Sequence, residues 1–425
     1  MALNSDLRPF VARLPFSLDL LPPAAYLVGG SVRDALLGRQ VVRFDFDFVL
    51  PVAAVATARQ IADHHQAGFV VLDAARQIAR VVFAEGTVDF AQQEGESLEQ
   101  DLRRRDFRCN AIAYDPRTHE LIDPLNGCRD LARGELQAIS RANLSADPLR
   151  LLRAYRQAAQ LDFAIAPKTR SLLRSLAPQL KTVAGERVQA ELNYLLQAPK
   201  CNPWLAAAWE DGLFASWLPE LNVAQVSLVD CVDQAAWLLG RIWVDLDAQL
   251  QAAVGNKSVT WLTVAKLSVI AGTPVTAAAN LERLKYSRLE QRAVSGALQS
   301  LPSLLAALET PLSLREQYFW FQTVGDLFPL VAVLAVATIA RREPLRETRA
   351  VAAIAPLVNR YLDPESQITH PTPLLTGDDL IRELSLSPSP QIGHLLTEIQ
   401  LARIEGKIAT VAEALQFAAT QLESV

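Results

Sequence analysis

Two carboxylates stand one residue apart inside a run of alternating aromatics, Phe44-Asp45-Phe46-Asp47-Phe48. Alternation at that period belongs to a strand, which sends both acids to one face and the three rings to the other. Along a strand the carboxylates lie about 6–7 Å apart. At that distance they can share hard cations through oxygen ligands, whereas unpaired they would only repel each other. A solvated strand face would explain an isolated pair of this kind, so the neighbouring residues decide. Thr87-Val88-Asp89-Phe90 reads as a second strand with one acid between apolar neighbours, and Asp89 is the candidate third carboxylate. Asp73 and Glu85 fit that role without straining the pattern.

Upstream, the strand-like Tyr26-Leu27-Val28 runs into Gly29-Gly30-Ser31 and then into a helix expected from about Val32. Glycines there leave backbone N–H groups unobstructed at a helix N-terminus, a geometry suited to a polyphosphate. Arg33, one helical step further on, adds a charge-assisted donor for the same phosphates. Alone, a Gly-Gly turn is only a tight turn. Fifteen residues before an Asp-x-Asp strand it reads as half of a metal and phosphate site.

These groups need a sheet to hold them, and the chain supplies one early. Up to about residue 140, short β-branched runs such as ARVVFAEG mix with one helical stretch near residues 52–64, which is an α+β pattern. From Asp147 onward, Leu/Ala-rich segments of helical period are punctuated at Pro167, Pro178, Gly185, Pro203, Pro219, Gly255 and Pro302. Loops are expected at 344–348 and 363–373. The fold class is therefore α+β: a small mixed-sheet head over residues 1–140, then an all-α neck (141–200), body (201–345) and tail (346–425). Trp204, Trp209 and Trp217 are expected in the core.

At 425 residues, with 50% hydrophobic and 20% charged, the chain is too long for one core and too apolar to be disordered. Its net charge of -5 gives no global nucleic-acid or membrane surface. The basic surface is local: residues 141–187 hold nine Lys and Arg against three acids, a phosphate track for RNA read by shape. Arg170 and Arg174 belong to that track. The four cysteines form no CxxC pair, no secretory signal is evident, and no charge-free and Pro-free apolar run reaches about 18 residues. A cytoplasmic protein with no membrane span and no implied protein partner is expected.

Five motifs in order, GGSVRD, DFD, LRRRDFRCNAIAYD, ADPLRLLRAYRQAAQL and GERVQAELNYLL, resemble the bacterial tRNA nucleotidyltransferase / poly(A) polymerase family, class II of the polymerase β superfamily. TGDDLIRELSLSPSPQIGHLLTEIQ resembles the tail of that family. His64, His65, His119, His370 and His394 are scattered and carry no His-Asp phosphohydrolase signature.

The resemblance implies an enzyme that moves CMP or AMP from CTP or ATP to a tRNA 3′ end without a template and releases pyrophosphate. It implies Mg²⁺ on Asp45 and Asp47, with Asp89 beside them, and tRNA as partner. Gly29, Gly30, Arg33 and Arg105 would bind the triphosphate, and Asp106 and Asn110 would sit near the ribose. Pro148 is suited to the first turn of a helix on which Asp147, Arg150, Arg153 and Arg156 form a ridge. An Asp acceptor beside an Arg fork complements an exocyclic amine next to a ring acceptor, the pattern shared by cytosine and adenine. Glu186, Arg187 and Glu191 would buttress that ridge.

Three departures stand out: Arg108-Cys109 in place of Thr-Ile, Ala146 in place of an acid, and a short Phe90–Leu102 connection where the family has a flexible segment. The short connection predicts addition of two C residues and no A. A poly(A) polymerase or A-adding enzyme is the alternative within the class, and an inactive RNA-binding or nucleotide-sensing relative is the alternative outside it.

Overall fold

The structure is a computed structural model that describes residues 3–4, 6–39, 43–255, 259–342 and 347–423. The chain forms two compact units, Met1–Ser216 and Trp217–Val425.

The first unit is built on a seven-stranded sheet: β1 (Tyr26–Val28), β2 (Phe44–Leu50), β3 (Gly68–Asp73), β4 (Ile78–Phe83), β5 (Gly86–Gln92), β6 (Ala113–Tyr114) and β7 (Leu121–Ile122). The spatial order is β3-β4-β5-β2-β1-β6-β7. In this sheet, among the described residues, only β2 and β5 pair in parallel, and their register sets Asp45 opposite Thr87 and Asp47 opposite Asp89. The alternation read from the sequence is present: Phe44, Phe46 and Phe48 are buried while Asp45 is exposed and Asp47 half-buried. The rings pack with those of other elements, Phe48 stacking on Phe90 at 5.6 Å and Phe16 facing Phe48, Phe83 and Phe90. Burying such a ring contributes about 1.5–3 kcal/mol, so the apolar face holds the carboxylates together against their mutual repulsion.

Helix α1 (Gly29–Leu36) starts three residues earlier than the sequence suggested, directly off β1. Helix α2 (Ala54–His65) packs on β4 and β5, and α3 (Leu98–Arg103) follows β5 after five residues. The neck helices are α4 (Leu149–Leu161), α5 (Pro167–Leu176), α6 (Gly185–Leu196) and α7 (Cys201–Glu210). Helix α4 lies against α6 and α7. Pro148 is its N-cap residue and not its first turn. Trp217 is buried, but Trp204 and Trp209 are only half-buried, because α7 turns part of its surface to solvent.

In the second unit the central helix is α11 (Phe328–Arg342), preceded in chain order by α8 (Val223–Ile242), α9 (Trp261–Ala271) and α10 (Arg288–Glu309), and followed by α12 (Glu347–Leu362). Pro302 sits inside α10 and does not end it. The expected loop at 344–348 lies outside the described residues up to 346, and from Glu347 the chain is helical. Three further helices, Gly377–Leu384, Pro390–Ile404 and Val411–Glu423, close around Leu380, Ile392, Leu395 and Ile399. One described stretch, Leu314–Arg341, is by length and composition able to cross a membrane, although Asp326 and Pro329 interrupt it, so the expectation of no charge-free and Pro-free run of that length stands. It is broken at Gly325–Leu327, and 67% of its apolar window is buried within the protein, as befits a core helix.

Candidate active site

The C-terminal end of β1, the turn into α1, the acidic face of β2 and β5, and α4 enclose a cleft of about 530 Å³. Gly29, Gly30, Arg33, Asp47, Asp89, Arg105, Asp106, Asn110, Asp147, Arg150, Arg153 and Arg156 all line it. Asp45 lines a second cavity of about 240 Å³ on the other side of Asp47, Gly30 and Arg33. Of the two alternatives to Asp89, Asp73 is on β3, separated from β2 by β4 and β5, and Glu85 is exposed in a turn.

The carboxylates differ in their surroundings. Asp45 accepts a 2.6 Å bond from the Thr87 hydroxyl. Asp89 is held by both ends of the Arg80 guanidinium, at 2.7 and 2.8 Å. Burial, with the charges of Asp45 and Asp89 added, pushes the Asp47 carboxyl up to about 7. Neighbouring carboxylates, one of them that reluctant to ionise, are oxygen donors of the kind a hard divalent cation takes. Among the described residues no three His, Cys, Asp or Glu groups form a ready-made metal cage. Asp45 and Asp47 are the fitting pair, and Asp89 can join them only by exchanging Arg80.

At the step from β1 into α1, Gly29 has φ +76°, and a Cβ there would lie 3.2 Å from both Asp47 Oδ2 and Arg105 Nη1. The positive φ favours glycine, and a larger residue would also displace both side chains by a few tenths of an ångström. Arg33 is anchored by Asp34 at 2.9 and 3.0 Å and donates to Asn110 Oδ1 at 2.7 Å. Arg105 pairs with Asp101 at 3.2 Å, and its buried Nε has no hydrogen-bond partner.

A buried polar network forms the floor of the cleft. Asp106 accepts from the Phe107 backbone and the Asn110 amide, each at 2.8 Å, and from Arg153 at 3.0 and 2.9 Å. These donors hold its carboxyl down at about 2 despite full burial, with Arg153 supplying the largest favourable part. Arg156 is bound by Glu191 and Gln160. Arg150 donates to the backbone carbonyls of Arg104 and Asn143 at 2.8 and 3.0 Å. Asp147 accepts from Arg187 at 3.0 Å and from its own helix at Leu149 N. Glu191 and Arg187 thus support the ridge, while Glu186 is exposed. Cys109, at the first departure from the family pattern, is buried 3.8 Å from Asn110 Oδ1.

Two cations of the basic run serve a different end. Arg170 and Arg174 both bind Asp211, at 2.7 and 2.6 Å, and the carboxyl side chain of Asp211 is fully buried with Tyr155 Oη 2.6 Å away. They compensate an internal charge, while the Arg174 side chain stays 63% exposed. Sequence reasoning passed over Arg80, Asp211 and Gln157. Only Gln157 carried a local signal, standing four residues after Arg153 on the ridge helix.

Residues 25–137 match the model of the Poly A polymerase head domain, residues 162–225 that of the RNA and SrmB-binding site of polymerase A, and residues 255–419 that of tRNA nucleotidyltransferase domain 2. A CC-adding tRNA nucleotidyltransferase of Synechocystis sp. is 50% identical over 416 residues, 97% of each chain. An A-adding tRNA nucleotidyltransferase of Deinococcus radiodurans is 32% identical, over 94% of this chain and 96% of that one. The Thermotoga maritima CCA-adding enzyme complexed with tRNA shares the fold, with a TM-score of 0.69 over 94% of this chain and 91% of that one, at 21% identity.

Proposed function

The chain belongs to the bacterial tRNA nucleotidyltransferase and poly(A) polymerase family, and on that premise we propose that it adds two C residues to tRNA 3′ ends and leaves the terminal A to another enzyme. The observation that carries the restriction to C is the connection between β5 and α3. Only residues 93–97 separate them. Those five are tied down: Gln93 N donates to Leu50 O at 2.7 Å, Glu94 N to Asp101 at 3.1 Å and Glu96 N to Gln100 at 2.8 Å, and Glu94 pairs with Arg104. A pocket that must be rebuilt around a purine needs slack next to Arg105 and Asp106, and a segment this short and this bonded supplies little. The CC-adding relative matched over almost the whole chain supports the same reading.

In the reaction the tRNA 3′ oxygen bonds to the α-phosphorus of CTP, the bond to the bridging oxygen breaks, and pyrophosphate leaves. The backbone at Gly29 and Gly30, with Arg33 and Arg105, would hold the triphosphate at the start of α1. Asp147 and Arg150 would read the amine and ring acceptor of cytosine, and the Asp106–Arg153 pair would set the sugar between them. Asp45 and Asp47 would hold Mg²⁺, which would supply activation of the attacking hydroxyl and charge neutralisation on the phosphates. Arg80 holds Asp89 beside that pair. The exposed cations Arg141, Lys168 and Lys181 would carry the RNA backbone, in a cytoplasmic setting.

Incubation of tRNA ending at the discriminator base with each nucleoside triphosphate separately, resolved on a gel, tests the reading. CTP alone should extend the tRNA by two, and ATP should add nothing to tRNA ending in CC. Addition of A at a rate comparable to C would overturn the restriction. ATP use without CTP use would assign the A-adding activity of the Deinococcus relative instead.

A further inference from the structure

The side-chain amide of Gln157 lies at the junction of everything described above. It is 2% exposed, on α4, and lines the cleft. Its Oε1 accepts from Asn110 Nδ2 at 2.9 Å and from Arg33 Nη1 at 3.4 Å, and its Nε2 faces Asp106 Oδ2 at 3.5 Å. The orientation is fixed by the neighbours, since a flipped amide would set its N–H groups against those of Asn110 and Arg33.

Three segments meet at this one group. Arg33 comes from α1, Asp106 and Asn110 from the turn that precedes β6, and Gln157 from the neck helix. On the reading above, Arg33 serves the phosphates and the Asp106–Arg153 pair the sugar, while the base falls to Asp147 and to Arg150 on the same helix as Gln157. We propose that Gln157 is a positioning residue that fixes the distance between the phosphate-binding and base-reading halves of the nucleotide site, so that the α-phosphorus and the cytosine edge are held in register together.

The chemistry of the side chain supports this. The site needs an acceptor toward two donors and a donor toward a carboxylate, within one buried planar group. An apolar side chain of the same length would leave Asn110 and Arg33 short of an acceptor, and a carboxylate would be repelled by Asp106. Among the described residues the amide bonds only to Arg33, Asn110 and Asp106, all assigned above to the nucleotide, so its effect should fall on the nucleotide and not on the RNA.

The inference rests on the nucleotidyltransferase reading, and its test is separable from the question of which base is added. Gln157→Met and Gln157→Glu in the full chain are compared with the parent by steady-state kinetics for each nucleotide it uses, with folding followed by circular dichroism. Gln157→Met should lower kcat and the CTP-to-UTP selectivity by about tenfold each, with KM for CTP changed by less than about threefold. Gln157→Glu keeps the acceptor toward Arg33 and Asn110, so it should lose selectivity while KM stays unchanged. A merely structural glutamine would lower the melting temperature and the active fraction but leave kcat per active site and selectivity alone; that result in either folded variant overturns the proposal. If Gln157→Met does not fold, Gln157→Glu decides by the same criterion. A parent enzyme that used ATP in place of CTP would overturn the CC reading, and the positioning role would still be scored on the nucleotide used.

Discussion

Replacing Asp106 by Asn removes one negative charge at a buried point where five N–H donors converge. Its carboxyl side chain is only 6% exposed, and its partner Arg153 is 36% exposed. With Asp106 held at about 2 in the folded protein and an ordinary value near 3.9 when unfolded, ionisation of this group contributes about 2.5 kcal/mol to stability at neutral pH. Asparagine retains one acceptor oxygen. Turned toward Arg153, it sets its own N–H groups against those of Phe107 and Asn110; turned toward these, it opposes the guanidinium. Either way donors are left unsatisfied at about 1–3 kcal/mol each, so a total loss of about 3–4 kcal/mol is expected. For a unit of this size that is a fall in melting temperature of roughly 6–15 °C. Thermal melts of both proteins by circular dichroism over a pH series provide the assay. Because the folded value lies below the unfolded one, the stabilisation is complete above about pH 5 and fades as pH falls toward 2. The gap between parent and variant should therefore be constant from pH 6 to 8 and narrow below pH 4. A gap under about 1 kcal/mol at pH 7, or one that does not narrow in acid, would refute the view that Asp106 is the charged anchor of the cleft.

Asp47→Asn should reduce transfer more than about a hundredfold, yet in chelator-treated buffer it should melt at or above the parent temperature. The reason is that Asp47, raised to about 7 by burial and by Asp45 and Asp89, opposes folding once pH exceeds the unfolded value near 4. The excess stability of the variant should grow from pH 4 to 7 and then level off, and a variant less stable than the parent at pH 8 would be contrary to this. Asp211→Ala, which leaves Arg170, Arg174 and the Tyr155 hydroxyl without their common acceptor, should cost about 3–5 kcal/mol. Reversal of charge at Arg174 should likewise lower the melting temperature, and weaker RNA binding by a variant of unchanged stability would restore Arg174 to the phosphate track.

Much of this protein was legible locally. Strand alternation at Phe44–Phe48 needs only neighbours two residues apart, the Gly29–Gly30 turn only its own backbone, and the Asp147–Arg156 ridge only the helical period. The burial of those rings and the positive φ at Gly29 follow from such short-range rules. The choice of Asp89 over Asp73 and Glu85 did not, because it depends on β5, and not β3, lying beside β2. Partnerships were equally closed to reading along the chain. Arg80 meets Asp89 across a strand pair, Arg170 and Arg174 meet Asp211 some forty residues away, and Gln157 joins Arg33 across 124 positions. A charge run read along the chain thus gave no sign that two of its members also pair with a buried acid. Sequence by itself determined which chemistry the chain could hold and on which face of each element. Tertiary structure alone decided which of those charges remain available, because burying an ion is too costly to leave it unpaired, and the partner that meets this cost is chosen by packing in space and not by distance along the chain.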